Sequence, residues 1–140
     1  MQPEPNYENI LNHLMELMRD ADTISVGIDE AKHVVIELVK AQSLCHDGMN
    51  KNEVSVLQEC VARAHKFMLV CLHDQQMLLQ KYLILKEACK RDLIMDVQHQ
   101  VLSNVITLEA PLASWRADIE AWLREIIALE EMLKELLKSL

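Results

Sequence analysis

Residues 7–38 read YENILNHLMELMRDADTISVGIDEAKHVVIEL. Apolar side chains recur through Tyr7, Ile10, Leu14, Leu17, Ala21, Ile24, Ile28, Ala31, Val35 and Leu38, at alternating spacings of three and four. A repeat averaging 3.5 residues keeps one seam of a helix turned toward a neighbouring helix, as in a coiled coil or long bundle. Leu11, Met18, Val34 and Val39 flank the seam and widen it. That width suits a three- or four-helix environment better than a two-stranded one. A first helix over about 7–45 is predicted, after a short flexible lead at 1–6. Thr23, Ser25, Val26 and Gly27 are a weak patch of helix propensity. Because the seam passes through them unbroken, the helix is expected to continue, with a break near Gly27 as the alternative.

Working outward, residues 46–52 (HDGMNKN) read as a turn. Gly48 is suited to the left-handed conformation that ends a helix. Asn50 followed by Glu53 has the spacing of a capping box, so a second helix should start near Lys51. Its seam reads Val54, Leu57, Val61, Ala64, Met68, Cys71, Gln75, Leu78, Tyr82, Leu85 and Cys89. A second seam, Ile94, Val97, Val101, Val105 and Leu108, is out of phase with it. Helix 2 is therefore read as about 51–108, with a possible bend or break near 88–92. Pro111 fits only a first helical turn, which starts helix 3 there and carries it to residue 140. The seam of helix 3 is Trp115, Ile119, Trp122, Ile126, Leu129, Leu133, Leu136 and Leu140.

At 1.5 Å per residue, helix 1 would be roughly 57 Å long. The predicted fold is all-α: an elongated antiparallel helical hairpin plus a C-terminal helix, with coiled-coil or three- or four-helix-bundle packing. Residues 7–140 form one helical domain on this reading.

Composition agrees. Hydrophobic residues make up 51% of the 140, ample for a core, while Gly 2 and Pro 3 leave few sharp turns for a β-rich fold. The formal net charge is -8. This opposes nucleic-acid binding, where Lys and Arg must neutralise phosphates, and docking on anionic lipid. The excess is concentrated in residues 1–50, with nine acids against three bases. An acidic first helix could favour a basic partner, although a solvated face that maintains solubility is the simpler reading.

Residues 1–6 are polar, without a secretory core. The longest apolar run, residues 67–72, is too short to span a bilayer. A cytoplasmic protein is expected, with a nuclear location also open. Cys60, Cys71 and Cys89 lie roughly 16 and 27 Å apart along one helical stripe, too far for a disulfide or a shared zinc. They read as small buried hydrophobes in a reducing compartment. Cys45 and His46 meeting Cys60 or His65 across the hairpin would be the remaining zinc possibility.

Glu30-Ala-Lys-His33 has the Glu-x-x-His spacing of di-iron bundles, and Asp96-Val-Gln-His99 is a looser copy. With Ile28 and Ala31 on one seam, and Ile94 and Val97 on the other, both pairs fall on outer faces. No nucleophile motif or phosphate loop is present. The chain is therefore read as a non-enzyme without cofactor or metal. Met15, Met18, Met68 and Met77 read as core filling, or as an adaptable partner groove.

The stretch 118–125, DIEAWLRE, resembles the first helix of a spectrin repeat, where a buried Trp precedes a similar Arg-Glu pair. The turn at residues 46–52 is also loosely similar to a turn between spectrin helices, and the resemblance implies heptad packing around Trp122. A terminal helix this apolar must be covered, either by helices 1 and 2 or by a second chain. The expected function is a non-catalytic adaptor or structural subunit of an intracellular multiprotein complex. It would act through helices, on a protein partner or as a homo-oligomer, with the helix 3 seam as its contact and Trp115 and Trp122 as anchors. The alternative is a bundle module for a small apolar ligand or lipid, using a Met- and Leu-lined cavity.

Overall fold

The computed structural model describes residues 3–43, 48–92, 100, 102, 103 and 105–140. Three long helices carry the chain: α1, Pro3–Ser43; α2, Lys51–Asp92; and α3, Glu109–Ser139. The described residues contain no strand. The fold is an all-α bundle in which helix pairs pack together, as the seams require.

Helix α1 begins at Pro3, ahead of the expected start at Tyr7. Prolines at 3 and 5 are compatible with this, because the first-turn N–H groups have no intrahelical acceptor. The helix continues through the weak patch. Thr23 Oγ1 donates to the Arg19 carbonyl at 3.1 Å. The propensity cost of Thr23, Ser25, Val26 and Gly27 is roughly 2–3 kcal/mol. Burying Ile28, and half-burying Ile24, offsets most of that, at roughly 1.5–3 kcal/mol for a fully buried aliphatic side chain.

Asn50 caps α2: its Oδ1 accepts from the Glu53 N–H at 2.9 Å, and its carbonyl accepts from Val54 N at 3.1 Å. Gly48 lies in a turn, as expected, and the residues just before it lie outside the described residues. The expected helix end at Cys45 lies outside the described residues, as does His46. So do Ile94, Val97 and Val101 of the second seam, and Asp96 and His99. Val105 and Leu108 of that seam are buried. Helix α3 starts two residues before Pro111, which falls in its first turn as its missing N–H demands.

The chain divides into two compact units, each drawing on the same three helices. Unit 1 comprises Met1–Ser25 and His73–Arg116. Its core is Ile10, Leu14, Leu17 and Ala21 from α1, Leu78, Tyr82, Leu85 and Cys89 from α2, and Val105, Leu108 and Leu112, with Trp115 packed against them. Unit 2 comprises Val26–Leu72 and Ala117–Leu140. It buries Ile28, Ala31, Val35 and Leu38 of α1, Val54, Val61, Ala64, Met68 and Cys71 of α2, and Ile119, Ile126, Leu129 and Leu133 of α3. These are the predicted seam positions. The flanking stripe on α1 is only partly used: Leu11 and Val34 are half-buried, while Met18 and Val39 are exposed.

Candidate functional site

The seam of α3 is largely covered by the chain's own helices. Ile119, Ile126, Leu129 and Leu133 are buried in unit 2, and Trp115, Trp122 and Leu136 are half-buried. Only Leu140, 51% exposed, is open to solvent. Of the two covers open to the α3 seam, helices 1 and 2 or a second chain, its buried positions have the first. Side chains at that spacing are equally suited to α1 and α2, which lie within reach and carry matching seams.

Polar pins hold the helices in register. In unit 1, Gln75 occupies a seam position of α2 and is 1% exposed. Its Nε2 donates to the Leu112 carbonyl at 2.9 Å, and its Oε1 has no protein partner. Lys86 Nζ lies 2.7 Å from Glu109 Oε1, and also 5.9 Å from the centre of the Tyr82 ring. The Lys86 ammonium holds the Glu109 carboxyl below its ordinary range. Burial pushes the Tyr82 phenol well up, and the Glu109 charge adds to that. A negative side chain at the first residue of α3 also complements the helix dipole. In unit 2, His65 Nδ1 meets Glu130 Oε1 at 2.8 Å, which ties α2 to α3.

Between α1 and α2, unit 1 has a cleft of about 450 Å³. Its floor includes Ile10, Leu17 and Leu85, and Ile84 stands at its edge, 71% exposed. A second cleft of about 220 Å³, lined by Ile24, Met77 and Leu78, lies along the same pair of helices. Lys81 borders both. Its ammonium reaches Asp20 at 2.8 Å and Glu16 at 3.6 Å. Those carboxylates, Asp20 first, hold its pKa above the ordinary value. Unit 2 has a separate cleft of about 310 Å³ between α1 and α3, near Val39 and Gln42.

The outer face of α2 carries apolar residues that the core does not use. Val56, Leu69 and Val70 are exposed in unit 2; Met77, Leu83 and Ile84 are exposed in unit 1. Val56, Arg63, Val70, Met77 and Ile84 follow one another at seven-residue spacing. This second period was legible in the sequence, but the stronger seam on the opposite face hid it. Among the methionines, Met68 is core, whereas Met15, Met18 and Met77 are exposed rather than core filling.

Glu30 and His33 are both exposed, which follows from their place outside the seam. Among the described residues, no group of three or more His, Cys, Asp or Glu side chains is close enough to hold a metal ion. Cys71 and Cys89 are buried and Cys60 is exposed. Burial pushes the Cys89 thiol up, away from the reactive thiolate. Among the described residues, no helix is long and apolar enough to cross a membrane. Comparison with protein-family models, curated proteins and solved structures finds no match to this chain.

Proposed function

We propose that this protein is a non-catalytic adaptor or structural subunit of an intracellular multiprotein assembly, working through helix-to-helix contact. The carrying observation is the outer face of α2. Its exposed aliphatic side chains recur at heptad spacing after the seam beneath them has been covered. Such side chains in water are the material of helix-packing interfaces. On this reading the contact uses the faces that α1 and α2 leave open.

A second reading, a binding module for a small apolar ligand or lipid, is supported by the 450 Å³ cleft of unit 1, which falls in the size range of ligand pockets. Co-purification from a cytosolic extract, followed by sizing of the purified chain, separates the two. An adaptor retains a defined protein partner in fixed stoichiometry and loses it with Leu69→Glu or Leu83→Glu. Recovery of the chain alone, with lipid in its organic extract, would overturn the adaptor reading.

A further inference from the structure

The two clefts of unit 1 form a row along one edge of the α1–α2 pair, and their lining has a period. On α1 the apolar lining residues are Ile10, Leu17 and Ile24, each seven residues from the next. On α2, Leu78 and Leu85 lie deep, while Met77 and Ile84 stand above them as exposed edges, again seven apart. From Ile10 to Ile24, α1 rises about 21 Å, or nearly four helical turns. A pocket for one small molecule needs no such repeat. A row of apolar sites at heptad spacing, between two antiparallel helices, is the receiving surface for the side chains of a third helix.

The charges around the row select the flanks of that helix. Glu16, Asp20 and Asp74 border the clefts, against Lys81. Lys81 lies across the middle and is already engaged by Asp20 and Glu16. The centre of the row therefore keeps an excess of negative charge, in a chain whose net charge is -8. Arg91 and His13 line the larger cleft as well, Arg91 ten residues past Lys81 on α2 and His13 one turn before Glu16 on α1. Complementary charge on an incoming helix speeds encounter and sets its register.

We infer that the α1–α2 groove of unit 1 docks an amphipathic helix of a partner protein, with Leu or Ile at heptad positions and Lys or Arg beside them. The inference rests on the adaptor reading and specifies its surface and partner chemistry. Met77 and Ile84 are the contacts at its edge, and Glu16 and Asp74 select the basic flanks.

The test uses the full chain and two labelled synthetic peptides of about 21 residues, with identical Leu heptads and either Lys or Glu flanks. The Lys peptide should bind at least about tenfold more tightly than the Glu peptide, and this preference should weaken with added salt. Met77→Glu with Ile84→Glu should weaken the Lys peptide about tenfold or more, with helicity and melting unchanged, because both side chains are already exposed. Glu16→Lys with Asp74→Lys should reverse the preference between peptides. Equal binding of the two peptides, or full binding to the Met77/Ile84 variant, would overturn the assignment. So would displacement of the peptide by oleate, or a concentration-dependent mass of the chain that the Met77/Ile84 variant abolishes. A Lys peptide lost with Val56→Glu and Val70→Glu, but not with the Met77/Ile84 variant, would overturn the groove alone and leave the adaptor reading standing. Failure of that reading would be registered separately, as the absence of any protein partner co-purifying with the wild-type chain.

Discussion

Replacing Gln75 with Leu should make this protein more stable. Gln75 sits on the α2 seam, 1% exposed, with its Nε2 bonded to the Leu112 carbonyl and its Oε1 without a protein partner. The hydrogen bond contributes about 1 kcal/mol, while a buried unpaired polar atom costs roughly 1–3 kcal/mol. Leu removes both and adds apolar burial at similar volume. Leu112 lies within α3, so its carbonyl keeps an intrahelical partner when the glutamine is gone. The net expectation is a gain of roughly 1–2 kcal/mol, or about 3–6 °C in Tm for a chain of this size. Gln75→Ala relieves the same polar penalty but leaves a cavity, and should fall below wild type by about 1–2 kcal/mol. Urea unfolding followed by circular dichroism, with the slope compared between variants, measures both. A loss of more than about 1 kcal/mol in Gln75→Leu would refute the reasoning, because it would mean that Oε1 is satisfied and that the amide stabilises the core.

Four further outcomes are expected. Asn50→Ala should lose about 1 kcal/mol, and Asn50→Gly only a few tenths, in the same unfolding assay, since Asn50 Oδ1 caps the Glu53 N–H. Gly27→Ala should gain up to about 1 kcal/mol, because Gly27 is helical and a Cβ there meets nothing within 4 Å. Leu133→Ala should cost about 2–4 kcal/mol, while Leu140→Ala should change stability by less than about 0.5 kcal/mol; equal small effects would return the α3 seam to the surface.

The fourth is a pH dependence. The folded pKa of Glu109 is lowered, so its stabilising effect is present above the ordinary value of about 4.5 and is lost as pH falls through the folded value. Glu109→Gln should flatten the acid limb of a Tm-against-pH curve. Tyr82 is shifted the other way: stability should fall as pH rises past its ordinary value of 10, where only the unfolded chain ionises readily. In a Tyr7→Phe background, phenolate absorbance should appear only as the protein unfolds.

The helices were legible because their signals are local or strictly periodic. The α1 seam, the Asn50 cap and the placement of Pro111 in a first turn each depend on neighbours within a few residues. The outward place of Glu30 and His33 followed from the same arithmetic. The groove of unit 1 was not legible, although Ile10, Leu17 and Ile24 stand in the predicted α1 seam. Met77 and Ile84 stand outside the α2 seam. Each alone is an ordinary surface aliphatic, and only the approach of α1 to α2 makes Ile10, Leu17 and Ile24 face them.

By itself the sequence determined the class, the seams, the polar punctuation and the charge asymmetry, because each is a property of spacing along one chain. The tertiary structure alone decided which surface a seam meets. Heptad spacing states that a helix must be covered and is silent on the cover, since an aliphatic stripe packs as well on its own chain as on another. Packing buried Ile119, Ile126, Leu129 and Leu133 within unit 2 and left Met77 and Ile84 in water. Which of two apolar faces of a helix remains open depends on where the other helices lie, and that is a property of the whole packed chain.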